Sequence, residues 1–237
     1  MINIYYGPRF DHPFNLMWRK LKPLAKSLKD YNVENNRSYI MACPSYAQEL
    51  KNKYVIESPF DIKLVPSIDE GQPPNVVLDS GLDNQQIGTG TQYDSRPDFF
   101  IEELAQFLSD GFYLFFADKS VTLKMTPPFL HHNKVFGIGG SMDIGSWFRS
   151  LSFASFVADE VIIKAGEPLA YIEFDSQEKY NLIPIVWPQE SFVYKHQCLS
   201  YKVGTAGSSL SQMYKRFKAR GISKRLGEIA RNAAKEE

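Results

Sequence analysis

The residues most able to do chemistry lie between positions 131 and 149. His131 and His132 are adjacent and follow two prolines, which predicts that they lie in a loop. Neighbouring loop histidines can hold a metal ion, although solvated side chains are the commoner outcome. Asp143 and Arg149 flank Trp147 in an aromatic stretch. A carboxylate and a guanidinium in that setting either satisfy each other or line a pocket, so these five residues define one candidate pocket.

Recognised catalytic and metal-binding motifs are missing from the sequence. It contains no His-x-Asp, His-x-Glu or His-Glu-x-x-His pattern and no Gly-x-Ser-x-Gly elbow. The glycine-rich stretch 136–141 follows a predicted strand but lacks the Lys-Ser/Thr pair of a P-loop, which favours a hairpin or crossover loop. We therefore predict no catalytic residue, no metal ligand and no cofactor, and the sequence favours a protein that is not an enzyme.

Charge is balanced over the chain but concentrated at its C-terminal end. Lysine and arginine total 27, and so do aspartate and glutamate, yet residues 208–237 carry eight basic against three acidic residues, which leaves +5 there and −5 elsewhere. Such a segment can contact nucleic acid, an acidic neighbouring protein or its own acidic body, and the two protein contacts are favoured. The predicted contact residues are Lys215, Arg216, Lys218, Arg220, Lys224, Arg225 and Arg231.

The same C-terminal segment has the spacing of two amphipathic helices separated by Gly221, which is a natural helix C-cap. One apolar face comprises Leu210, Met213, Tyr214 and Phe217, and the other comprises Ile222, Leu226, Ile229, Ala230 and Ala233. Both faces need a covering surface, so we predict a docking element rather than a free arm. A helix-turn-helix DNA reader is a weaker interpretation of the same pattern.

Short strand-like segments bounded by turn residues dominate the rest of the chain. The predicted strands are 2–6, 54–56, 62–65, 76–78, 112–116, 121–125, 135–136, 147–157, 161–163, 169–174 and 180–185. Residues 117–120 between two of them have the composition of a hairpin turn. Many short, closely spaced strands predict a mainly β fold of the α+β class, built as an antiparallel β-sandwich or barrel.

Helices and one irregular region complete the predicted body. Apolar residues from Phe14 to Leu28 recur at helical spacing, which predicts an N-terminal amphipathic helix that kinks or restarts at Pro23. Pro44 can open a short helix through Leu50, whereas the many Gly and Pro residues of 67–98 predict a loop-rich excursion. The chain therefore divides into a β-rich globular domain, 1–205, and a basic helical tail, 206–237.

Targeting and redox signals point to an intracellular protein. The N-terminus lacks a basic segment followed by an apolar run, and no window approaches 18 apolar residues, so neither a signal peptide nor a membrane span is predicted. The two cysteines, Cys43 and Cys198, have no metal-type spacing, which favours a reducing compartment.

Two stretches of the sequence have a distinctive pattern: Met-Asp-Ile-Gly-Ser-Trp-Phe-Arg at 142–149, and the strand-turn-strand segment 162–174, which contains Gly-Glu-Pro-Leu-Ala-Tyr at 166–171. They resemble an uncharacterised family of hypothetical proteins from tailed phages, chiefly marine T4-like ones, and a related bacterial domain family of unknown function. Cys43-Pro44 and the segment from Lys51-Asn52 to Ser-Pro-Phe-Asp at 58–61 also fit. The resemblance covers residues 39–185 and implies a viral origin and a β-rich fold, but it supplies no catalytic residue.

Three functions remain open from the sequence. The leading one is a phage-encoded, non-enzymatic β protein that acts through protein contacts or self-association, as a virion or assembly component or as a host-directed factor. It would work in the host cytoplasm or the virion. The alternatives are an enzyme acting on a small molecule or nucleotide, with its pocket near residues 131–149, and nucleic-acid binding through the basic tail.

Overall fold

The structure, a computed structural model, describes residues 1–10, 18–35, 43–67, 75–78, 104–108, 113–130, 135–137, 139–156, 160–204 and 209–236. Within these ranges strand residues outnumber helical ones, and the fold is mixed α+β, which confirms the predicted class. The strands are β1 (Ile2–Gly7), β2 (Lys22–Pro23), β3 (Lys53–Glu57), β4 (Ile62–Ser67), β5 (Asn75–Leu78), β6 (Leu104–Leu108), β7 (Leu114–Ala117), β8 (Thr122–Thr126), β9 (Val135–Gly137), β10 (Gly140–Asp143), β11 (Ser152–Phe156), β12 (Val161–Ile163), β13 (Pro168–Asp175) and β14 (Tyr180–Pro184). The helices are α1 (Leu24–Asn35), α2 (Pro44–Glu49), α3 (Phe192–Gly204), α4 (Leu210–Ala219) and α5 (Ile222–Glu236), and a 3-10 turn at Gln189–Ser191 precedes α3.

Two sheets form the centre of the fold. Sheet 1 has the order β14-β1-β7, and sheet 2 has the order β10-β8-β13-β3-β2. Two smaller sheets, β6-β11-β9 and β12-β4-β5, complete the β structure of the described residues. Each order begins and ends on a different strand, so none of these sheets closes into a barrel, and the sandwich is the correct one of the two predicted architectures. Among the described strands, the pairings are antiparallel except that of β1 with β14, which is parallel.

Sheets 1 and 2 face each other across the main apolar core. Ile4 and Phe115 of sheet 1 and Leu123 of sheet 2 lie in one buried cluster. Ala170, Ile172 and Phe174 of β13 lie in it too, as their alternation predicted. Tyr171, the intervening residue, faces the opposite way and packs with Leu24 of α1. Alternation therefore commits one face of sheet 2 to the sandwich and the other to the N-terminal helix.

Sheet 1 is buried on both faces. Tyr5 of β1 and Leu114 and Phe116 of β7 point away from the sandwich into a second cluster, which also contains residues of α3, α4 and α5. Its helical members are Cys198, Phe217, Ile222, Leu226 and Ala230. The C-terminal helices thus form an outer layer on sheet 1. Most of the tail's predicted apolar faces dock there, but Leu210 at the start of α4 is 43% exposed. The sequence patterns did not predict α3, which lies inside the predicted β-rich domain.

The N-terminal helix is shorter than predicted. It begins at Leu24, directly after Pro23, and residues 18–21 are not helical. Trp18 instead packs edge-on against Tyr6 and Tyr113, with ring centroids 5.9 and 6.2 Å apart. Lys22 Nζ lies 3.1 Å from the buried carboxylate of Glu57. These contacts hold residues 18–22 against the sheet and stabilise a non-helical conformation despite the helical spacing of the apolar residues. Residues 11–17, which were also predicted to be near or in this helix, lie outside the described part of the chain.

Two strand predictions were wrong in their details. β7 and β8 do not form a hairpin across residues 117–120, because β7 pairs with β1 and β8 pairs with β10 and β13. The turn between them carries the chain from sheet 1 to sheet 2. Within the predicted strand 147–157, the observed strand begins only at Ser152, and Trp147 precedes it in irregular backbone; residue 157 lies outside the described part of the chain.

Two of the stretches that carry the phage resemblance interlock. The backbone N–H of Gly166 donates to the carbonyl of Ser58 at 2.7 Å, and the N–H of Ser58 donates to the carbonyl of Glu167 at 2.8 Å. Asp61 Oδ1 accepts from the N–H of Ala165 at 2.9 Å. Gly166 has φ +90°, a conformation that glycine adopts without strain. These stretches therefore have a structural role, joining the ends of β3 and β13.

No helix within the described ranges combines the length and the hydropathy that crossing a membrane requires.

Candidate binding surface

The helix pair α4–α5 begins at a capping serine and turns at a glycine. Ser209 caps α4, because its hydroxyl accepts from the N–H of Gln212 while the Gln212 side chain accepts from the N–H of Ser209. Gly221 has φ +68°, and its N–H donates to the carbonyl of Lys218 at 3.0 Å. Because glycine tolerates this conformation, α4 ends and α5 starts at Ile222 after a turn of only two residues.

Docking of the apolar faces leaves the basic side chains outside. Phe217 and Leu226 are fully buried against the body, and each contributes about 2 kcal/mol of transfer free energy. All seven predicted contact residues are exposed, and Lys235 joins them. We call this surface the basic face; it comprises Lys215, Arg216, Lys218, Arg220, Lys224, Arg225, Arg231 and Lys235.

Most cations of the basic face have no carboxylate partner among the described side chains. Lys218 Nζ lies 3.9 Å from Asp143 Oδ2, and Arg220 has its own interaction. For the other six, the described residues provide no carboxylate within ion-pair distance; these are Lys215, Arg216, Lys224, Arg225, Arg231 and Lys235. The docked tail therefore presents its positive charge to the surroundings rather than to the described part of its own body.

Arg231 differs from its neighbours because it lies at the rim of the docking interface. Its guanidinium would lie 3.3 Å from a Cβ atom at Gly227, and the Phe116 ring would lie 3.7 Å from the same point. Burial raises the pKa of Tyr5, and the positive charge of Arg231 opposes that rise. Arg231 thus faces both the body and the outside, so its substitution would disturb docking as well as charge.

Asp143 organises a tight turn at the end of β10. Its Oδ1 accepts from the N–H of Gly145 at 2.9 Å, and its Oδ2 accepts from the hydroxyls of Ser146 at 2.6 Å and Ser120 at 3.0 Å. The turn is closely packed, because a Cβ at Gly145 would lie 2.2 Å from the carbonyl oxygen of Lys119. Asp143 therefore has a structural role, as an aspartate that fixes the backbone two residues ahead of it.

The same turn clamps both tail helices. The backbone N–H of Asp143 donates to the hydroxyl of Tyr214 in α4 at 3.0 Å. The hydroxyl of Ser223 in α5 donates to the carbonyl of Gly145 at 3.0 Å. We call residues 143–146 with these two partners the tail clamp. The sequence analysis identified Asp143 and placed Tyr214 on a docking face, but it did not predict their contact or the role of Ser223, because nothing local identifies the surface on which a helix docks.

Trp147 and Arg149 also face the C-terminal helices. Trp147 is 4% exposed, and its ring centroid lies 6.1 Å from that of Tyr214. Arg149 lies near Cys198 of α3, and burial lowers the pKa of its guanidinium. Burial raises the pKa of the Cys198 thiol to about 12. These residues support the docking of α3 and α4.

The candidate pocket stays a prediction as a whole. Asp143 and Trp147 meet at Tyr214, but His131 and His132 lie outside the described residues. Within the ranges that the structure describes, no group of three or more His, Cys, Asp or Glu side chains is arranged to hold a metal ion.

Thiol reactivity tests the burial of α3. At pH 8 we expect the exposed Cys43 of the native protein to react rapidly with a disulfide reagent, and the buried Cys198 to react only after unfolding. The folded state keeps the Cys198 proton, which an unfolded thiol releases above about pH 8.5, so the free energy of unfolding should also fall as the pH rises from there. A Cys43→Ser variant provides the control, and rapid labelling of its remaining thiol would contradict the docked position of α3.

A scan against protein-family models, a search of curated proteins and a search of solved structures each found no match to this chain. The resemblance to tailed-phage proteins therefore stays a prediction, and the role of each residue rests on its own contacts.

Proposed function

We propose that the protein acts without catalysis, by binding a polyanionic macromolecule on its basic face. The observation that carries the proposal is that α4 and α5 use their apolar faces to dock and leave their cations exposed. The apolar faces are covered by sheet 1, whereas six of the outward cations have no carboxylate partner among the described residues. Since the tail already has its apolar partner, the surface it still offers to another molecule is charge.

The spacing of these cations supports the same proposal. Lys215 and Lys218 are three residues apart, and Arg231 and Lys235 are four apart, so like charges lie side by side on each helix. Each such pair destabilises a helix by about 0.2–0.5 kcal/mol. A bound polyanion would remove this repulsion, and it would also be attracted from a distance at low ionic strength.

The phage resemblance gives this proposal a setting. A phage-encoded binding protein would work in the host cytoplasm or in the virion, either as an assembly component or as a factor directed at the host. Both settings are rich in polyanions. This setting is supported only by the stretches 39–185 that carry the resemblance, and the basic face lies outside them.

Retention on immobilised heparin tests the proposal. The basic-face variant carries Lys224→Gln, Arg225→Gln and Lys235→Gln, and a matched control carries Lys26→Gln, Lys29→Gln and Lys51→Gln. All six residues are exposed, and both variants lose three charges. We expect the wild type and the control to elute together, and the basic-face variant to elute at distinctly lower salt. Equal elution of the two variants would show that net charge alone governs retention, and failure of the wild type to bind at low salt would equally contradict the proposal.

A protein partner or a second copy of the chain is the second candidate. Phe10 and Val193 are 42% and 57% exposed, and the Phe10 ring stacks on that of Phe192 at 6.1 Å between centroids. Exposed aromatic and aliphatic side chains are typical of protein interfaces, and Phe10 lies beside α3, the helix that carries Val193. Light scattering coupled to size exclusion should then show a dimer that Val193→Ser weakens, whereas a strict monomer at high concentration would count against self-association.

A further inference from the structure

We infer that the polyanion bound by the basic face is double-stranded nucleic acid, held through its phosphates without regard to sequence. This inference rests on the proposed function, since it names the ligand of the same surface. It follows from the exposed cations of the basic face and from the absence of exposed aromatic rings on α4 and α5.

The cations of α5 form a stripe of useful length. Lys224, Arg231 and Lys235 stand seven and four residues apart, which places them on one side of the helix over about 16 Å, with the single acid Glu228 between the first two. Arg225 flanks the first of them, and Arg220 lies just before the turn into α5. Duplex DNA carries one charge per roughly 1.7 Å of axis, so a stripe of this length meets several phosphates at once.

Single-stranded nucleic acid fits this surface less well. Its binding sites combine cations with aromatic rings on which bases stack. The aromatic residues of α4–α5 are Tyr214 and Phe217, and both are occupied in docking. Phe217 is fully buried, and Tyr214 faces Trp147 while its hydroxyl accepts from Asp143. The helix pair therefore offers phosphate contacts but no stacking platform.

A lipid surface and an acidic protein are also less suitable partners. Amphipathic helices bind membranes by inserting their apolar face, and here Ile222 and Leu226 are buried against sheet 1. Protein interfaces depend on aromatic or aliphatic anchors at their centre. On the helix pair, the large hydrophobic side chain that stands exposed is Leu210, at the first residue of α4. A phosphate backbone is recognised mainly by charge and needs no such anchor.

The geometry favours backbone contact over base reading. The turn between α4 and α5 is shorter than the three or four residues that join the helices of a helix-turn-helix. This argues against the helix-turn-helix reader that the sequence pattern suggested. Beside its cations, α5 exposes Glu228 and Asn232, so it offers a single amide for contacts with base edges. We therefore expect similar affinity for duplexes of unrelated sequence.

Fluorescence anisotropy with labelled nucleic acid tests the inference on the full-length protein. The probes are two 30-base-pair DNA duplexes of unrelated sequence, a 30-nucleotide thymidine strand, polyglutamate, and vesicles containing phosphatidylserine, the last two used as competitors. With four to six phosphate contacts, log K against log salt should have a slope of about −4 to −5 for both duplexes. The basic-face variant should lose roughly 3 from this slope and on the order of tenfold to hundredfold in affinity, and the Lys26/Lys29/Lys51 control should match the wild type.

Each contrary outcome separates the inference from the proposal on which it rests. Tighter binding of the single strand, or competition by polyglutamate or vesicles at equal charge concentration, would overturn the duplex assignment. If the basic-face variant were still impaired on heparin, the proposed function would survive that result. A wild type that binds neither heparin nor any probe, or a basic-face variant that binds heparin and every probe normally, would overturn both.

Discussion

Phe217→Ala is expected to lower the free energy of unfolding by about 3–4 kcal/mol, the largest effect of any single truncation in the tail. The Phe217 ring is fully buried between α4 and the body, in the cluster that contains Phe116, Leu226 and Trp187. Its removal leaves a cavity that the surrounding helices can fill only in part. Urea unfolding followed by circular dichroism measures the loss.

The matched control for this prediction is Leu210→Ala on the same helix. Leu210 is 43% exposed, and alanine favours a helix at least as well as leucine does, so we expect a change below about 1 kcal/mol. If Phe217→Ala were as mild as its control, the tail would not be docked as described. The basic face would then not be positioned by the body, and the proposed function would lose its structural basis.

Gly145→Ala is expected to cost about 3 kcal/mol and to loosen the tail at the same time. A Cβ at this position would lie 2.2 Å from the carbonyl oxygen of Lys119 and 3.0 Å from the backbone nitrogen of Ser120. Both are backbone atoms, so the overlap can be relieved only by displacing the turn. The turn accepts the hydrogen bond from Ser223, which should weaken as the turn moves.

Gly140→Ala provides the matched control. A Cβ there would meet no heavy atom within 4 Å, so we expect a change within about 0.5 kcal/mol. Hydrogen exchange of the α5 amides should increase in the Gly145 variant and stay unchanged in the Gly140 variant. Equal protection in the two variants would show that the tail clamp does not hold α5.

Local periodicity predicted what depends on neighbours in sequence. The alternation of Ala170, Ile172 and Phe174 identified the buried face of β13, and Gly221 identified the break between α4 and α5, because side-chain direction and backbone freedom are local properties. The pairing of β7 was not predictable in the same way. Its partner β1 is more than 100 residues away, whereas the turn residues 117–120 predicted pairing with the adjacent strand β8.

The candidate site shows the same limit of local patterns. The count of charged residues predicted the seven contact cations, which are exposed, and amphipathic spacing predicted which helix faces dock. The tail clamp depended on contacts between residues 71 and 78 positions apart, from Asp143 to Tyr214 and from Gly145 to Ser223. The segment 18–21 was predicted as helical because its apolar spacing fits a helix, but contacts of Trp18 and Lys22 with distant residues decided its conformation.

The position of β1 has a consequence for biosynthesis. β1 lies between β14 and β7 in sheet 1, and its register pairs Ile2 with Tyr180. At roughly 5–20 residues per second, a ribosome adds residue 180 some 9–36 s after the first residues, and until then one edge of β1 has no partner. Helices α4 and α5 must follow before Tyr5 and Phe116 are covered. Pairings this distant in sequence close slowly, so during synthesis the nascent chain exposes an apolar strand that is vulnerable to proteases and to aggregation until α5 has emerged.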